Sequence, residues 1–128
     1  MVHYLSERQI LFIHSAIIDE TGGTYGVRDR QAILSLAALP RQAAFGKELY
    51  PDIFLKAAVY ARNIINGHPF IDGNKRTGVT FASVFLENNG YKIIAKEGEI
   101  EKFALKIIND KLDLKSIADW FKNYSKKI

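Results

Sequence analysis

Two apolar stretches, "AVYARNII" (Ala58–Ile65) and "VTFASVFL" (Val79–Leu86), flank the polar run "GHPFIDGNKRTG" (Gly67–Gly78). Each stretch is long enough for about two helical turns, and the second is apolar almost all round through Val79, Phe81, Ala82, Val84, Phe85 and Leu86. A helix of that kind cannot lie on a surface, so it predicts a central helix of a bundle, roughly Asn74 to Asn89 with Gly90 just past its end. The partner helix before it starts near Pro51 and Asp52 and carries Ile53, Ala57, Tyr60, Ala61, Ile64 and Ile65 inward.

The other elements fit around this pair. Ser6 and Gln9 form a capping box, with Leu5 and Ile10 as its hydrophobic staple, and Ile10, Ile13, Ile17 and Ile18 give a one-sided stripe ending at Gly22. Asp29 caps a second helix that turns Ile33, Leu36 and Ala37 inward and stops at Pro40. "RQAAFGKELYPD" (Arg41–Asp52) has no helical period and reads as a surface loop or short hairpin. "YKII" is a short extended piece. Two further helices follow, with Ile100, Phe103, Ala104, Ile107 and Ile108, then with Ile117, Trp120, Phe121 and Tyr124. The expected fold class is all-α: a bundle of about six helices over residues 1–128 as one domain, with a possible flap hairpin at 41–52.

Composition narrows the function. Hydrophobic residues make up 48% and charged residues 25%, as in a folded soluble domain. No apolar window approaches the roughly 18 residues of a membrane helix and the N-terminus has no signal-like pattern, so the expected location is cytoplasmic. With no cysteine, thiol catalysis and thiolate metal sites are excluded. The net charge of +4 is scattered, and no helix shows a continuous basic face. A nucleic-acid-binding or partner-binding helical domain without catalysis is therefore only the remote alternative.

The polar run carries the chemistry. Pro69 disfavours the α region for His68, so the preceding helix ends before the histidine and leaves its ring on a loop. Gly73 can take positive φ and turn the chain into the next helix. Backbone N–H groups from about Ile71 to Lys75 then form a nest for an anion at a helix N-terminus. Lys75 and Arg76 oppose the dipole there, a conflict that a bound phosphate removes. Asp72 beside a phosphate calls for a hard cation, and Mg²⁺ suits one carboxylate plus phosphate oxygens. His68 is placed as base for a hydroxyl nucleophile. Taken singly, Asp72 could be a helix cap, Asn74 a turn residue and His68 a loop histidine. Together with Lys75 and Arg76 in one run, they favour phosphate-group transfer. Phe70 reads as a core anchor that pins the loop, and His3 and His14 as structural or surface histidines.

"HPFIDGNKR" resembles the signature of the Fic/Doc family, and its Asn-Lys-Arg ending resembles the Doc, or death-on-curing, branch. The resemblance extends to "GGTYGVRD", "LYPDIFLKAA" and "FLENNGY". It implies a Fic-like fold and a toxin that transfers a phosphate-containing group from ATP, with Mg²⁺, to a Ser, Thr or Tyr hydroxyl of a target protein. A translation factor is the implied target class, and a partner antitoxin silences the toxin. By position, the resemblance makes His68 the base, Asp72 the metal ligand, and Asn74, Arg76 and the Gly73 backbone anion-hole groups. It makes 41–52 the flap that holds the target. The commoner AMP-transferring pattern has glycine at Lys75 and a second arginine at Val79. The lysine goes with γ-phosphate transfer, so kinase-type phosphorylation is expected, with adenylyl transfer (AMPylation) as the alternative. "SVFLEN" (Ser83–Asn88) matches the family's self-inhibitory pattern, but it lies in the central helix and is read as coincidence.

Overall fold

The computed structural model describes residues 1–128 and contains six α-helices: α1 (Glu7–Thr21), α2 (Arg30–Ala38), α3 (Ile53–Gly67), α4 (Asn74–Asn88), α5 (Glu97–Asn109) and α6 (Leu114–Asn123). The predicted caps are present. Ser6 and Gln9 close the capping box of α1, Asp29 caps α2, and Asp52 accepts from the N–H groups of Phe54 and Leu55 at the start of α3. Asp113 does the same for α6 by accepting from Ser116, a bond that holds its carboxyl below the usual range.

The helices α3 and α4 pack along one another at the centre, with α6 on a second flank of α3. Close approach of the pair requires Gly78, because a Cβ there would stand 2.6 Å from Ile65 Cγ1 and 3.1 Å from the Ala61 carbonyl. The core is aromatic. Tyr60 meets Phe81 and Phe85 edge-on at 4.9 and 5.0 Å. Its hydroxyl accepts from the Leu5 N–H, and burial pushes its pKa up to about 12.

Two small antiparallel sheets complete the chain. The 41–52 segment does form a hairpin, β1 (Ala43–Ala44) with β2 (Lys47–Glu48), turning through Phe45 and Gly46 at positive φ. The expected "YKII" strand is β3 (Tyr91–Ile93). It pairs with β4 (Ser125–Lys127), which the sequence pattern did not disclose. Nor did the pattern disclose Lys56, which is fully buried on α3. Its ammonium donates to the Pro40 carbonyl (3.2 Å), the Glu48 carboxylate (2.9 Å) and the Tyr50 carbonyl, so one cation roots the hairpin on α3.

Candidate active site

The polar run occupies the connection between the two central helices. Helix α3 ends at Gly67, as Pro69 requires, and His68 follows in the left-handed region at φ 46, ψ 55. A non-glycine residue there costs about 1–2 kcal/mol, so the surrounding contacts must impose it. The imidazole is exposed. Gly73 takes φ 76, as expected, and α4 begins at Asn74.

Segment 26–29 runs against this loop. The N–H groups of Arg28 and Asp29 both donate to the Pro69 carbonyl, at 2.8 and 3.0 Å, and Ile71 N–H donates to the Gly26 carbonyl at 3.1 Å. The Arg28 guanidinium reaches further, with Nε on the His68 carbonyl (2.6 Å) and a terminal nitrogen on the Gly67 carbonyl (2.8 Å). From the other side, Phe70 is buried and stacks on the His14 ring, with centroids 3.7 Å apart and planes within 3°. His14 Nε2 lies 2.7 Å from the Asp72 carbonyl and donates to it. His14 is thus a buried structural histidine under the site. The stripe could have revealed this, since position 14 shares a face with Ile10, Ile17 and Ile18.

Asp72 is exposed but held. One carboxylate oxygen accepts from Thr24 N–H (3.1 Å) and the other from Gly73 N–H (2.8 Å), so it does not cap α4. Asn74 is buried, and its carboxamide both donates to the Phe70 carbonyl (2.9 Å) and accepts from the Phe70 N–H (3.0 Å). That side chain closes the loop on itself. The nest is narrower than expected, because the N–H groups of Ile71 and Gly73 are already taken. The N–H groups left free are that of Asp72 and those of the first turn of α4, Asn74 to Arg76. Lys75 and Arg76 are exposed there and pair with no carboxylate.

No three His, Cys, Asp or Glu side chains converge anywhere in the chain. Asp72 is a single exposed carboxylate, the kind of donor that a hard cation takes alongside phosphate oxygens and water. Val79 is buried in the core, so its position offers no cation to a nucleotide. Glu87 of the "SVFLEN" match sits about 16 Å along α4 from Arg76, at the 1.5 Å rise of a helix. By the same measure the Lys56 root of the hairpin lies about 18 Å along α3 from His68. A surface hollow of about 530 Å³ lies beside Arg62 and Lys111 and includes none of these residues.

A family model described as "Fic/DOC family" matches residues 4–86, from the start of the chain through the polar loop and most of α4. The chain belongs to the Fic/Doc family. Similarity to curated proteins points the same way. The chain is 33% identical over 95 residues to "Toxin Doc" of Mycolicibacterium smegmatis, covering 74% of this chain and 71% of that one. It is 28% identical over 121 residues to "Protein kinase doc" of Escherichia phage P1, with 92% of each covered. These relatives fall in the Doc branch that the Asn-Lys-Arg ending resembles. No helix is long and apolar enough to cross a membrane.

Proposed function

We propose that this chain is a Doc-like toxin that transfers the γ-phosphate of ATP to a hydroxyl side chain of a target protein, and that an antitoxin partner silences it. One observation carries the reading: two unpaired cations, Lys75 and Arg76, stand with three free N–H groups at the first turn of α4, next to the exposed carboxylate of Asp72. No carboxylate forms an ion pair with either cation, whereas a triphosphate would neutralise both. The printed names of the two relatives, a toxin and a protein kinase, support the same class.

The roles follow from position. Lys75, Arg76 and the free N–H groups bind the phosphates and stabilise negative charge as it develops. Asp72 would hold Mg²⁺, which when bound supplies charge neutralisation on the phosphate oxygens. A neutral His68 takes the proton of the target hydroxyl. That oxygen bonds to the γ-phosphorus, the bridging P–O bond breaks, and ADP leaves. Asn74 serves by shaping the loop through Phe70, and its backbone N–H faces the anion.

Lys75 bears on which phosphate moves. A cation at this position occupies the space through which distal phosphates would extend past the helix end, and the core position of Val79 supplies no second arginine. Incubation of a bacterial extract with the protein and ATP labelled on either phosphate separates the outcomes. Label from the γ-position on Ser or Thr, lost with His68→Ala, is the expected result. Label from the α-position would establish adenylyl transfer instead.

A further inference from the structure

We propose that Arg28 is a positioning residue, whose fork of hydrogen bonds locks His68 into the left-handed backbone conformation that presents its imidazole to substrate. The proposal rests on His68 being the base, as argued above.

The residue before a proline prefers an extended backbone, and a non-glycine residue avoids positive φ; His68 is placed against both preferences. Its own N–H is spent on the Ile64 carbonyl at 3.2 Å, the last bond of α3. What remains to fix the backbone are three successive carbonyls, those of Gly67, His68 and Pro69. All three are engaged by Arg28 and its neighbour. The guanidinium takes the first two, and the N–H groups of Arg28 and Asp29 take the third.

The guanidinium bridges the two peptide groups on either side of the His68 Cα, Gly67–His68 and His68–Pro69, so it governs the φ and ψ that aim the ring. Its planar fork suits two carbonyls at 2.6 and 2.8 Å, and an ammonium at the same place could not reproduce both directions. It also lies at the negative end of α3, where a cation is favoured. Asp29 ties the arrangement to α2, because its carboxylate accepts from Ala32 N–H while its own N–H holds Pro69. The residue that caps α2 and the one that holds the base are consecutive.

The test compares the full-length parent with Arg28→Lys, Arg28→Gln and Arg28→Ala, and with Arg30→Ala as a control that removes a neighbouring cation paired only with Glu7. Three quantities are read: the backbone shifts and HN–Hα coupling of residue 68 by NMR, the affinity for Mg-ATP, and the rate of γ-label transfer into extract proteins. In every Arg28 variant residue 68 should leave the left-handed region, and transfer should fall about 100-fold, the scale of a misplaced catalytic group. Mg-ATP affinity should stay within about twofold of the parent, since no phosphate contact is altered. Added ethylguanidinium should recover part of the rate in Arg28→Ala, and Arg30→Ala should match the parent throughout.

An unchanged conformation at residue 68 overturns the proposal, as does a transfer rate within threefold of the parent in folded Arg28→Lys and Arg28→Gln. Parent protein that transfers no label, or His68→Ala that still does, would remove the base assignment instead. The conformation of residue 68 would even then decide whether Arg28 holds it.

Discussion

The stack of His14 on Phe70 invites a double-mutant cycle. Phe70 is 1% exposed and its ring fills the space beneath the loop, so Phe70→Ala should cost about 3–5 kcal/mol through the cavity it leaves. His14→Ala removes the stacked partner, worth about 0.5–1.5 kcal/mol, and a hydrogen bond to the Asp72 carbonyl, worth about the same. With the small cavity added, its cost should be about 2–3 kcal/mol. In the double variant the stack can be lost only once, so the combined cost should fall short of the sum by about 0.5–1.5 kcal/mol. Urea titration read by tryptophan fluorescence measures each step. At a slope of about 2 kcal/mol per molar, Phe70→Ala shifts the midpoint by about 2 M. His14→Phe keeps a stack and loses only the hydrogen bond, and should recover most of the coupling. Costs that add within about 0.3 kcal/mol would refute the stack as the joint that holds the loop to α1.

Asp72→Asn should lose Mg²⁺-dependent label transfer while melting within a few degrees of the parent, because an amide oxygen can still accept from Thr24 or Gly73. Differential scanning calorimetry and the transfer assay, run on one preparation, check both halves. Lys56→Met strands the Pro40 and Tyr50 carbonyls and should cost about 3–5 kcal/mol. Proteolysis within 41–52 should accelerate in that variant, and an unchanged cleavage rate would show that the cation does not root the hairpin. Tyr60, raised to about 12 by burial, favours the neutral form in the folded state. Its stabilisation is complete below the ordinary tyrosine range near 10 and is lost as pH climbs through 12, by at most about 2–3 kcal/mol. Tyr60→Phe should flatten the pH profile in that window.

The helices were legible because their signals are local. Ser6, Asp29 and Asp52 sit immediately before the first turns that they cap, and the apolar stripes of α3, α5 and α6 repeat within each helix. The candidate site was legible as far as it is contiguous: His68 and Asp72 are exposed on the loop, Lys75 and Arg76 on the first turn of α4 that follows, and Phe70 is buried beneath as expected. What escaped is what reaches across the chain. Arg28 meets His68 from 40 residues away, Thr24 meets Asp72 from 48 and His14 meets it from 58. No periodicity encodes such pairings. Lys56 was hidden for a different reason, since an ammonium at an inward position looks like an error in the stripe until the carbonyls that satisfy it are known. The nest was drawn too wide because a segment's N–H groups are counted as free until their partners are seen.

The loop of the site contains almost no support of its own. Apart from Asn74 on Phe70, Asp72 on Gly73 and the helix-end bonds of His68 to Ile64 and Thr77 to Gly73, its bonds run to His14, Thr24, Gly26, Arg28 and Asp29. Beyond the helix ends that it joins, the hydrogen-bond partners it leans on lie in the second half of α1 and the strap that follows. The loop and that strap should therefore open together as one unit, with amide exchange of Ile71 matching that of Arg28 and Asp29 and not that of α3 or α4. A ligand that loosened α1 would then disorder the loop's exposed polar groups without touching them, and one that tightened α1 would leave them no freedom to stray.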